Sequence, residues 1–99
     1  MSGLGISVIS CWEVAKAVEL GRLTFQIPVE DWIHQALAYP GVSLVPLTPR
    51  ITVESTQLPG QLHRDPADRF IVATARVHGW PLVTTDGKIL QYRHVQLAP

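Results

Sequence analysis

Residues 62–86, LHRDPADRFIVATARVHGWPLVTTD, decide the fold. Asp65 has a short acceptor side chain suited to an N-cap, and Pro66 follows at the first helical position, where its missing N–H costs nothing. Phe70, Ile71, Ala73, Thr74 and Val77 recur at helical spacing and form the inner side of a helix running to His78. Gly79 then stands where a left-handed residue ends a helix. Residues 81–85, PLVTT, are short, mostly apolar and rich in β-branched side chains, so they read as a buried strand. Asp86 and Gly87 turn the chain after it. A helix that feeds a strand is half of a crossover unit, which implies an α/β protein with a parallel sheet.

The same grammar extends in both directions. Residues 4–9, LGISVI, read as a first strand, and Ser10 as the N-cap of a helix over 11–20. Glu13, three residues after Ser10, completes a capping box, and Gly21 ends the helix. Pro28 begins a second helix with Glu30 and Asp31 in its first turn and Trp32, Ile33, Ala36 and Leu37 on its apolar face. Residues 42–47 read as a strand at a sheet edge, because Pro46 has no hydrogen to donate to a ladder. Thr48 caps and Pro49 begins a third helix, to about Leu58, although Thr52, Val53 and Thr56 are poor helix formers. Residues 59–65 form a loop. Beyond Asp86, a short helical stretch at 88–92 leads to a last strand at 95–97. Right-handed crossovers would place helices on both faces of the sheet.

The 99 residues make one small domain, 1–99, with no linker and no repeat. Hydrophobic residues make up 46% and charged residues 16%, which is a core-forming composition, not a disordered one. Eight basic residues balance eight acidic ones, so no broad basic field holds nucleic acid by charge alone. The single cysteine, Cys11, allows no internal disulfide and fits a reducing, cytoplasmic compartment. The longest apolar stretches fall far short of a membrane span, and MSGLGISVIS is not expected to act as a secretory signal.

Three acids from distant parts of the chain are expected at one edge. Helix N-termini face the carboxyl edge of a parallel sheet, where ligands bind. Glu13 belongs to the first turn of one helix, Asp68 to the first turn of another, and Asp86 follows a strand. Carboxylates gathered there repel one another unless a cation neutralises them, and oxygen ligands suit Mg²⁺ or Mn²⁺. Such a cation activates water and stabilises charge on a phosphodiester. Each acid also has an ordinary use: Glu13 in the capping box, Asp65 and Asp68 at a helix dipole, Asp86 in a turn. His63, Arg64 and Arg69 lie beside this edge and suit phosphate, or equally a solvated loop and a salt bridge.

The joint order of S-x-x-E, HRDPADR-x-x-x-A-x-A and LVTTD resembles PIN-domain proteins of the VapC toxin type, from about residue 5 to residue 97. The resemblance implies a parallel α/β/α sandwich and an Mg²⁺- or Mn²⁺-dependent ribonuclease that acts on RNA and is blocked by a cognate antitoxin. It maps the acidic site onto Glu13, Asp68 and Asp86. Thr84 matches a supporting hydroxyl, Asp65 a subgroup feature, and Ser10 the S-x-x-E motif. Family members begin with a strand that ends in an Asp, and no such segment precedes residue 4. The resemblance therefore implies a PIN-like fold lacking the family's first strand and first catalytic Asp. It also implies a homo-oligomer, in which a second copy covers an uncharged strand edge. A non-catalytic PIN remnant, kept for dimerisation or antitoxin binding, is the alternative. A receiver-like domain ranks last, because Lys88, two residues after Asp86, is misplaced for it.

Overall fold

The structure, a computed structural model, describes residues 3–84 and 86–98. It is α/β, with a parallel sheet and helices, and divides into two compact units, Met1–Pro46 and Leu47–Pro99. In the first unit, β1 (Leu4–Ser7) leads into α1 (Val8–Glu19), α2 (Val29–Leu37) and β2 (Val42–Val45). The two strands pair in parallel, from Leu4 opposite Val42 to Ser7 opposite Val45. α1 packs on α2 and β1, and α2 packs on β2.

Two expectations are corrected here. The first strand ends at Ser7 instead of residue 9, and Ser7, not Ser10, caps the helix by accepting the Ile9 N–H at 3.2 Å. The physical reason is the cap: the Ser7 hydroxyl satisfies an otherwise unpaired N–H of the first helical turn, so β-branched Val8 and Ile9 enter the helix against their own preference. Ser10 becomes the third helical residue and Glu13 moves to the second turn, so no capping box joins them. At the other end, Gly21 (φ 74°) behaves as expected: its N–H reaches the Val18 carbonyl at 3.1 Å and the Arg22 N–H reaches Ala17 at 2.9 Å. These two bonds are the paired closure of a Schellman motif. In α2, Trp32 stacks on Phe25 with ring centroids 4.3 Å apart, a packing role.

The second unit contains α3 (Pro49–Thr56), α4 (Pro66–His78) and α5 (Gly87–Leu90). α3 forms despite its composition: Thr48 caps it by accepting the Ile51 N–H at 3.3 Å and Pro49 takes its first position, while Thr52, Ser55 and Thr56 donate to the carbonyls of Pro49, Thr52 and Val53 at 2.6–2.7 Å. α3 packs on α4. Asp65 caps α4 as expected, accepting from Ala67 and Asp68, and Gly79 (φ 68°) closes it. The buried side of α4 is Ala67, Val72, Ala73, Thr74 and Ala75, so Val72 lies inside although the sequence pattern leaves it out. Val72, Ile89 and Tyr92 form the core, with Leu58, Leu62, Leu82, Val95 and Leu97 against them.

Among the described residues, the expected strands at 81–85 and 95–97 reduce to one parallel bridge between Leu82 and Leu97. Leu82 donates to the Gln96 carbonyl at 2.8 Å and accepts from Ala98 at 2.9 Å. One bridged residue does not repeat the ladder that defines a strand. Thr85, the last residue of that expected strand, lies outside the described residues.

Candidate functional site

The expected site residues fall in both units, and each unit is described by itself. In the first, Glu13 is in the second turn of α1, corrected from the first, and Ser10 precedes it within the same helix.

In the second unit, Asp68 occupies the first turn of α4, as expected. Its Oδ2 lies 2.5 Å from Nε2 of His63, and both side chains are largely buried, at 16% and 18% exposure. Nδ1 of His63 is buried and has no hydrogen-bond partner. Asp65 is committed to capping, since its Oδ1 accepts both the Ala67 N–H at 2.9 Å and the Asp68 N–H at 3.3 Å. Asp86 is the N-cap of α5, and its Oδ1 accepts from Lys88 at 2.9 Å and Ile89 at 3.1 Å. Thr84 stands behind it: the Asp86 N–H donates to the Thr84 hydroxyl at 3.0 Å. The bonds to Asp68 and Asp86 thus engage one oxygen of each carboxylate.

The three basic candidates separate by environment. Arg64 is exposed. Arg69 turns inward, donating from Nε to the Ser55 carbonyl at 3.0 Å and from Nη1 to the Leu62 carbonyl at 3.2 Å. It ties α3, the loop and α4 together. His63 faces Asp68. Tyr92, missed by the motif reading, donates its hydroxyl to the Pro59 carbonyl at the start of the loop. Burial raises its pKa above the usual 10.0, with the Arg76 and Arg69 cations opposing and Glu54 adding to the rise. Arg76 itself is held by Glu54 at 2.7 Å and by the His94 carbonyl.

A PIN domain family model matches residues 1–95. The chain belongs to the PIN-domain family. Within it, the chain is similar to ribonuclease VapC22 of Mycobacterium tuberculosis (strain ATCC 25618 / H37Rv), at 40% identity over 91 residues, covering 92% of this chain and 68% of that relative. No solved structure matches significantly. This PIN-domain chain is therefore of the VapC type. The donor chemistry in its second unit fits a hard divalent cation: carboxylate oxygens of Asp68 and Asp86, a threonine hydroxyl, and no thiolate. Among the described residues, no group of three or more His, Cys, Asp or Glu side chains is arranged to hold a metal ion. No helix among the described residues is long and apolar enough to cross a membrane.

Proposed function

We propose that this PIN domain is a metal-dependent endoribonuclease of the toxin type, hydrolysing RNA phosphodiester bonds. The observation that carries the proposal is the 40% identity to a VapC ribonuclease over 92% of the chain, which spans the positions of Glu13, Asp68 and Asp86. These three carboxylates are the proposed ligands of Mg²⁺ or Mn²⁺. When bound, the cation supplies a Lewis acid that lowers the pKa of water and neutralises phosphate charge.

The chain's own residues supply the rest. Thr84 fixes the backbone at Asp86, and α5 orders that carboxylate through its Oδ1. Asp65 starts α4 and so fixes where Asp68 emerges. Arg64, exposed on the loop beside Asp65, is the proposed phosphate contact. Arg69 supports it by holding the loop. The partners are an RNA substrate, a cognate antitoxin and a second copy of the chain, all in the cytoplasm. β1 supports self-association, since an uncharged strand without proline is a template for edge pairing.

The test is cleavage of a labelled RNA by the 99-residue chain with Mn²⁺, against Asp86→Asn and Glu13→Gln. Cleavage abolished in both variants supports the proposal. No cleavage by the unmodified chain, with tight antitoxin binding, replaces it with a non-catalytic binding module.

A further inference from the structure

We propose that His63 is a positioning residue for Asp68, setting the direction of its carboxylate toward the cation instead of contacting RNA. The inference rests on the reading of Asp68 as a metal ligand.

His63 is held before it meets Asp68. The loop that carries it is fixed at three points. Pro59 accepts the Tyr92 hydroxyl, Gly60 lies against the His94 ring so closely that a Cβ would sit 2.9 Å from Cδ2, and Leu62 accepts from Arg69. The imidazole therefore reaches Asp68 from a preset position, and Nε2 lies at 2.5 Å from Oδ2.

The ring nitrogen Nε2 faces Oδ2 directly, and a carboxylate oxygen is an acceptor for a ring N–H. A ring so placed fixes the carboxylate's rotation. Asp68 is at the third helical position, from which a capping carboxylate ordinarily reaches back to the N-cap N–H. His63 holds it away from that use. Histidine and carboxylate pairs of this kind tune metal sites from outside the ligand set, and losing the outer partner typically lowers metal affinity by about 10–100-fold.

The test measures Mn²⁺ affinity by calorimetry on the whole chain, beside RNA affinity in chelator. His63→Leu keeps bulk without a donor. His63→Gln restores an N–H near the Nε2 position. His63→Asn stays polar but ends short of Asp68, and it replaces the Leu variant should that variant not fold. Mn²⁺ affinity is expected to fall by about 10-fold or more in His63→Leu and His63→Asn and to recover in His63→Gln, with metal-free RNA affinity unchanged. Unchanged Mn²⁺ affinity in the donor-less variants, while Asp68→Asn loses it, overturns the positioning role alone. Loss of RNA affinity with metal affinity intact overturns it in favour of a phosphate contact. Unchanged Mn²⁺ affinity in Asp68→Asn overturns the ligand reading beneath it.

Discussion

The Thr84 hydroxyl accepts the Asp86 backbone N–H at 3.0 Å, and Asp86 passes the support on by capping α5. Two short side chains thus support each other after a stretch whose strand bridge, among the described residues, is at Leu82. Thr84→Val keeps the shape and removes the acceptor. It is expected to lower stability by about 1 kcal/mol, while Thr84→Ser stays close to the unmodified chain. Urea midpoints of the three proteins check this. An unchanged midpoint in the valine variant would show that the hydroxyl contributes nothing.

Arg64 and Arg69 are expected to fail differently when truncated. Arg64→Ala should weaken RNA binding and leave the melting temperature unchanged, as an exposed side chain away from packing does. Arg69→Ala should lower the melting temperature, because two carbonyls lose a charged donor, at a cost of about 1–3 kcal/mol. Fluorescence anisotropy with a short RNA and thermal melts separate the two effects. Equal melting temperatures for both variants would contradict the inward role of Arg69.

Tyr92 sets an alkaline limit. Its pKa is raised in the folded protein, mainly by burial, so the unfolded chain loses the phenolic proton first. The neutral form's contribution to stability is complete below the unfolded value of 10.0 and is lost as pH rises through the higher folded value. Stability should therefore decline above about pH 10. In Tyr92→Phe that part of the decline should vanish, with about 1 kcal/mol lost at neutral pH for the missing bond to Pro59. Urea melts of both proteins across the alkaline range provide the comparison.

Ala73 is fully buried in the middle of α4. Ala73→Pro removes a helical hydrogen bond and drives a ring into the preceding turn, costing roughly 3 kcal/mol or more. In a chain this small that is expected to abolish cooperative unfolding, as circular dichroism would record. A soluble variant with an unchanged transition would refute the placement of the helix.

α4 was legible from sequence because its signals are local. Asp65, Pro66 and Gly79 act on backbone groups within a turn of themselves, so Asp65's cap and Gly79's left-handed φ follow from residue type alone. The Thr48 cap of α3 and the Gly21 stop of α1 were readable for the same reason. The same signals place Asp68 in a first turn, whereas Asp86, read as a turn residue, is the N-cap of α5.

Tertiary structure decided what depends on distant partners. Whether Val8 extends β1 or opens α1 depends on where the pairing with β2 stops, at Ser7 opposite Val45, and no local pattern in ISVIS contains that information. Val72 is inside because Ile89 of α5 and Tyr92, distant in sequence, pack with it. Arg69 and His63, both suited to phosphate by type, turn inward because Ser55, Leu62 and Asp68 offer them acceptors that only folding brings near. Residue type determines which bonds a side chain is able to make. Burial determines which bonds it must make, since a polar group withdrawn from water has to find its partner inside the protein.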